Sequence, residues 1–110
     1  MKILIVEDET VACDNLMEII REIEPETEIA GSTESITQTV RWLKNNPMPD
    51  LILMDIHLSD GSALAIFDKM EIETPVIFTT AYDEYAIEAF RVNSIDYLLK
   101  PIKTEDLKRA

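Results

Sequence analysis

The chain has 110 residues, enough for one domain that buries roughly two-thirds of the surface its unfolded form exposes. With 46% hydrophobic and 29% charged residues, only two Gly and five Pro, it is neither low-complexity nor collagen-like. A net charge of −12 argues against nucleic-acid binding by this segment, the single cysteine (Cys13) permits no internal disulfide, and no apolar run reaches membrane length.

In chain order, Ile3–Val6 is an unbroken apolar run that ends in Glu7-Asp8-Glu9. Such a run suits a strand covered on both faces, and it is too short and too acidic at its end for a signal peptide. From Thr10 to Ile23, Ala12, Cys13, Leu16, Ile19, Ile20 and Ile23 recur at helical spacing, so Cys13 is a core residue rather than a reactive thiol. Pro25 ends that helix. Glu28–Ser32 is a more polar strand that fits a sheet edge. Glu34–Asn45 is the next helix, with Ile36, Val40 and Leu43 inward and Trp42 off the stripe as a partly exposed packing residue.

Asn45-Asn46-Pro47-Met48-Pro49 stops the helix. Leu51–Met54 follows, apolar without alternation, and Asp55 stands where this strand emerges. One reading makes Asp55 the cap of the following helix, but Asp60 and Gly61 lie closer to that start and cap better. Ala63, Phe67 and Met70 then mark a third helix, and Val76–Phe78 a fourth strand ending in Thr79-Thr80-Ala81. Asp83–Val92 is predicted as a fourth helix, with Tyr82 and Tyr85 on the surface. Tyr97–Leu99 is the last strand, leading into Lys100-Pro101. Thr104 is placed to cap a fifth helix, which Ala110 cuts after about two turns.

Strand starts near Ile3, Ile29, Leu51, Val76 and Tyr97 recur every 21 to 26 residues with one helix between each pair. This (βα)5 alternation implies an α/β fold with a doubly wound parallel sheet. A polar second strand favours the order 2-1-3-4-5, which puts the binding crevice between strands 1 and 3. Glu7, Asp8, Asp55, Thr80 and Lys100 then share the C-terminal edge of the sheet. Two carboxylates about 4 Å apart repel by roughly 4 kcal/mol at an effective dielectric near 20, so the cluster protonates or holds a cation. Oxygen donors without thiolate select Mg²⁺, with Mn²⁺ as a substitute, over zinc. The ring of the only histidine, His57, is read as an exposed loop side chain and not a metal ligand. A metal and the Lys100 ammonium around one carboxylate suit Asp55 to receive a phosphoryl group, with the Thr80 hydroxyl donating to its oxygens.

These four strand-end features are Glu7-Asp8, Asp55, Thr80-Ala81 and Lys100-Pro101. Through them the chain resembles, over nearly its whole length, the receiver domain of bacterial two-component response regulators, a flavodoxin-like fold. The stretches 78–87 and 91–102 look most like regulators that carry a LytTR-type DNA-binding domain. The resemblance implies a phosphorylation-dependent switch, not an enzyme beyond Mg²⁺-dependent self-phosphorylation and autodephosphorylation. It makes Asp55 the phosphoacceptor served by a sensor histidine kinase. Asp8 and Asp55 would bind Mg²⁺ directly, with Glu7 acting through water and the His57 backbone carbonyl completing the set. Lys100 would pair with the phosphoryl group, Thr80 would move toward it, Tyr97 would be the aromatic switch residue, and Lys100–Pro101 a cis peptide.

The same resemblance implies a cytoplasmic protein, transcription regulation through an output domain, and a homodimer through the helix 4–strand 5–helix 5 face. Residues 1–110 are expected to be the receiver domain alone, with its last helix truncated. The loop Leu58–Gly61 is shorter than the family pattern and lacks its Pro, which leaves its shape open. Two other readings stand beside this one. A haloacid-dehalogenase-type phosphatase also places a nucleophilic Asp after an apolar strand, but it needs a second Asp where this chain has His57. A phosphorylation-independent interaction module is expected to lack one of Asp8, Asp55 or Lys100, and none is missing.

Overall fold

Five parallel strands form the sheet, in the order β2-β1-β3-β6-β7: Glu28–Thr33, Lys2–Val6, Leu51–Asp55, Val76–Thr80 and Ser94–Leu99. The computed structural model describes residues 1–63 and 65–79, together with the backbone of Thr80 and of 94–99. Around the sheet lie α1 (Thr10–Ile23), α2 (Ile36–Asn45) and α3 (Ala65–Lys69), and a two-stranded hairpin of β4 (His57–Leu58) and β5 (Gly61–Ser62). The order is the one the polar second strand predicts, and the hairpin is an addition. The predicted fourth and fifth helices lie outside the described residues, as do Lys100 and Pro101.

Why the central strands lack alternation is clear from what covers them. Ile3, Ile5, Leu53 and Ile77 pack with Cys13, Leu16, Ile19 and Ile20 of α1 on one face. Leu4, Val6, Ile52, Met54, Val76 and Phe78 pack with Ile36 and Leu43 of α2 and Ile66 of α3 on the other. Consecutive residues of one strand thus enter opposite cores, which is what period-2 geometry demands of a strand buried on both sides. Phe67 adds a tilted ring contact to Phe78, with centroids 6.1 Å apart and planes at 56°. Cys13 is buried as predicted. Burial first, and then the nearby charges of Asp14, Glu7 and Glu34, push its thiol above the ordinary 9.0 against a lowering hydrogen bond with Ser32. It stays protonated near neutrality.

The helix predictions hold for α1 and are adjusted for the other two. α2 begins at Ile36 rather than Glu34, because Ser35 is its cap and accepts from the Gln38 N–H at 3.1 Å. Its inward face includes Thr39, fully buried, whose hydroxyl donates to the Ser35 carbonyl at 2.7 Å and meets the Thr33 hydroxyl at 2.7 Å. α3 is centred on the fully buried Ile66, with Phe67 and Met70 only half-buried. Asp60 does cap a helix, but not the one that follows it. Its carboxylate accepts from the Ile36 N–H at 2.8 Å and from the Thr37 N–H and hydroxyl at 3.3 Å, at the start of α2.

Trp42 packs on the edge strand. The register of β1 on β2 shifts between Ile3 and Leu4, so that Leu4 pairs with Gly31 and Ala30 is skipped. A Cβ on Gly31 would lie 2.7 Å from Trp42 Nε1 and 3.1 Å from its Cε2. The indole therefore sits against bare backbone. At the N-terminal ends of β1 and β3, the Lys2 N–H donates to Asp50 Oδ2 and the Asp50 N–H to the Lys2 carbonyl, both at 2.8 Å.

Two predictions follow from these contacts. Gly31→Ala forces the only tryptophan off its seat, so the midpoint of urea unfolding falls by the equivalent of about 1–3 kcal/mol and Trp42 emission shifts to longer wavelength. Unchanged emission would show that the ring does not rest on Gly31. For Asp60, the backbone hydrogen bond from Ile36 leads those that hold its carboxyl below the ordinary 3.8. A carboxyl depressed in the folded state stabilises the fold above its unfolded pKa and gives up that contribution as pH falls through its folded value. Asp60→Asn is therefore less stable than wild type at pH 7, and the gap narrows as pH drops below about 4 in urea titrations.

Candidate functional site

The β1–β3 ladder pairs Ile3 with Leu51, Leu4 with Ile52, Ile5 with Leu53 and Val6 with Met54. The next residue on each strand is a carboxylate, so Glu7 and Asp55 leave the sheet side by side. Glu7 keeps its backbone in the sheet, donating to the Thr33 carbonyl at 2.9 Å, and its carboxylate accepts from the Glu9 N–H at 3.2 Å. Asp8 follows, half-buried, one residue before α1 is entered through Glu9.

One carboxylate oxygen from each of Glu7, Asp8 and Asp55 lies within 4.8 Å of the other two. Glu7 is 3% and Asp55 5% exposed, so solvent screens them little. At that spacing each pair of ionised groups repels by about 3–4 kcal/mol for an effective dielectric near 20. The three residues predicted to converge do converge. Hard oxygen donors on two adjacent strand ends, without sulfur or imidazole, match a small divalent cation such as Mg²⁺. The exposed His57 stands outside this set, as read from the sequence. Its backbone N–H donates to Asp55 Oδ1 at 3.2 Å, which orients the carboxylate.

The loop after Asp55 has a definite shape. Ile56 continues the sheet by donating to the Thr79 carbonyl at 3.1 Å, and its own carbonyl accepts from the Ala63 N–H at 2.7 Å. Between these bonds the chain folds into the β4–β5 hairpin, with His57 opposite Ser62 and Leu58 opposite Gly61. Ser59 and Asp60 make its two-residue turn, and Gly61 takes a φ of +134° that side chains rarely adopt. Ile56, Leu58 and Ala63 are buried beneath it. Through Asp60 the hairpin is fastened to α2, and the Ser59 hydroxyl reaches the Glu34 carbonyl at 3.4 Å. Asp60 is thus a positioning residue that sequence reasoning assigned to another helix. Its only sequence signal is its place in a short turn before Gly61.

The other predicted residues are placed by backbone alone. Asp55 pairs with Thr79, so Thr80 ends β6 beside the phosphoacceptor candidate, and Thr80 pairs in turn with Leu99. Tyr97 pairs with Phe78, three residues before Lys100. Lys100 and Pro101 lie outside the described residues, and so does the peptide bond between them.

Comparison with known proteins agrees with this geometry. Residues 3–110 match the response regulator receiver domain family. The chain is 37% identical over 108 residues to the sensory transduction protein LytT of Bacillus anthracis, covering 96% of this chain and 43% of that protein. It is 34% identical over 113 residues to the transcriptional regulatory protein LytR of Staphylococcus aureus, covering 100% of this chain and 45% of that protein. It therefore spans less than half the length of these curated relatives. Among solved structures, the response regulatory domain of protein mrkE from Klebsiella pneumoniae superposes with a TM-score of 0.84 at 29% identity, over 99% of this chain and 90% of that one. A strand order set by two-sided burial, an acidic cluster at the crevice and these likenesses converge, and the chain belongs to the response regulator receiver domain family.

Proposed function

We propose that this receiver domain is a two-component switch phosphorylated at Asp55 by a sensor histidine kinase. The observation that carries the reading is the convergence of Glu7, Asp8 and Asp55 within 4.8 Å at the ends of β1 and β3. Receiver domains generally bind Mg²⁺ at such an acidic site. Here Asp8 and Asp55 would hold the ion directly, with Glu7 acting through water and the His57 carbonyl completing the set. When bound, Mg²⁺ offsets the negative charge on the carboxylates and on an incoming phosphoryl group.

Asp55 is the nucleophile. Its carboxylate oxygen forms a bond to phosphorus as the bond from phosphorus to the donor's nitrogen breaks, and the leaving nitrogen takes up a proton. The His57 N–H donates to Asp55 Oδ1 at 3.2 Å and so helps orient the carboxylate for attack. Lys100 pairs with the transferred group, and the Thr80 hydroxyl donates to one of its oxygens. Tyr97 follows Thr80 and carries the change to the face that β7 would share with the predicted fourth and fifth helices, the proposed dimer face of a longer protein. The relatives' description as transcriptional regulators supports an output domain that acts on transcription. Residues 1–110 are then the receiver part of such a protein, which works in the cytoplasm.

The central test is direct. Phosphoramidate and Mg²⁺ should add one base-labile phosphoryl group, seen by intact-mass spectrometry, and both chelation of the metal and Asp55→Asn should abolish it. An Asn variant that labels as wild type does removes Asp55 from the role, and a wild type that never labels favours the phosphorylation-independent module. Thr80→Ala should still accept the group while losing most of the amide shift changes that beryllofluoride and Mg²⁺ induce in 94–99. Undiminished changes would place the coupling elsewhere.

A further inference from the structure

The exposed face of α2 carries a feature unrelated to the carboxylate cluster. Thr37, Val40, Arg41, Lys44 and Asn45 line a groove of about 390 Å³, and Lys69 of α3 closes its far side. The face exists because Ile36, Thr39 and Leu43 take the sheet side of α2, which leaves Thr37, Arg41 and Lys44 outside with the half-buried Val40 among them. α3 is short, so Lys69 stands one turn from the buried Ile66 and overhangs the gap.

Its charge is out of keeping with the chain. The sequence holds 22 Asp and Glu against 10 Lys and Arg, yet among the described residues no carboxylate lines this groove. Of the five cationic side chains among the described residues (Lys2, Arg21, Arg41, Lys44 and Lys69), three meet here. Lys2 pairs with Glu28 at 3.8 Å, whereas these three make no ion pair among the described residues. Lys44 and Lys69 sit in the last turns of their helices, where the helix dipole favours cations. That does not account for Arg41. One turn away on either side it has Thr37, Gln38, Lys44 and Asn45, so its helical neighbours offer a like charge and no opposite one.

We infer that the α2–α3 groove is a docking surface for an acidic peptide segment that carries an apolar side chain. The cations are exposed and borne on flexible stems, without the ring of backbone N–H groups that builds a phosphate cradle. They flank Val40, which is half-buried and packed on the core, and so offer an apolar floor between charges. A volume of 390 Å³ lies at the small end of ligand sites and accepts one apolar side chain with carboxylates on both sides. Complementarity of charge selects the partner, because acidic side chains far outnumber basic ones among the described residues and the groove is lined by basic ones. This inference does not rest on phosphorylation of Asp55.

The probe is a fluorescein-labelled nine-residue peptide of Glu with one central Leu, followed by fluorescence anisotropy at low salt with the 110-residue chain. Saturable binding is expected, weakened about tenfold or more by Arg41→Glu and by Lys69→Glu. Lys2→Glu makes the same change in net charge outside the groove and should alter affinity by less than about twofold. In the wild type, amide shifts on adding peptide should centre on 37–45 and 69, which reads the site without any variant. Several results overturn the proposal: no saturable binding, equal loss in Lys2→Glu, or shift changes centred elsewhere. Displacement by pyrophosphate or by a short DNA duplex at the peptide's own concentration would assign the groove to those ligands instead.

Discussion

The alignment of β1 with β3 is the constraint on which the rest of this domain depends. Val6 and Met54 are partners, both fully buried, and each strand has a carboxylate at its next position. Apolar burial on two faces drives the strands together, and in doing so carries Glu7 and Asp55 into a space that water scarcely enters. The core thus brings three carboxylates to within 4.8 Å of one another. Removing a Val or Leu side chain from water is worth about 1.5–3 kcal/mol, so the apolar pairs along these two strands outweigh one or two such repulsions. The site is tense because the core beneath it is strong.

Around that tension the structure places restraints rather than cushions. The β4–β5 hairpin returns the chain at once, Gly61 permits the turn, and Asp60 anchors it to the first N–H groups of α2. Ile36 and Asp60 are 24 residues apart in sequence, yet one carboxylate joins α2 to the loop. His57, whose N–H donates to Asp55, opens a hairpin only six residues long. The shortness of the loop, which looked like a departure from the family pattern, gives it this stiffness.

Much of this was legible in the residues. Unbroken apolar runs before carboxylates located β1 and β3, and the polar composition of Glu28–Ser32 put β2 at an edge. The cluster of Glu7, Asp8 and Asp55 follows from strand order alone. What escaped depends on partners distant in sequence. Asp60 binds 24 residues back, and nothing near it in the chain announces α2 as its target. Thr39 was passed over because a hydroxyl breaks the apolar stripe, although Thr33 and the Ser35 carbonyl satisfy it inside the core. Ile66 was missed since the pattern 63, 67, 70 describes a longer helix than the five residues that form. The bulge at Ala30 has no local signal beyond Gly31.

The carboxylates at the two ends of β3 also settle a question that hydrophobicity leaves open. A strand that is apolar on both sides has no polar face to betray a sliding error, since a shift by one residue merely exchanges the two cores. Asp50 and Asp55 bracket the four apolar residues between them, and the first is held to Lys2 by a reciprocal pair of hydrogen bonds. Sliding β3 in either direction would draw one carboxylate into the dry interior, at a cost of several kcal/mol. The residue assigned to phosphoryl chemistry is thus also a ruler mark for folding. A sequence that exchanged it for an apolar residue would lose more than the proposed phosphoacceptor, because the central strand would no longer have a defined end.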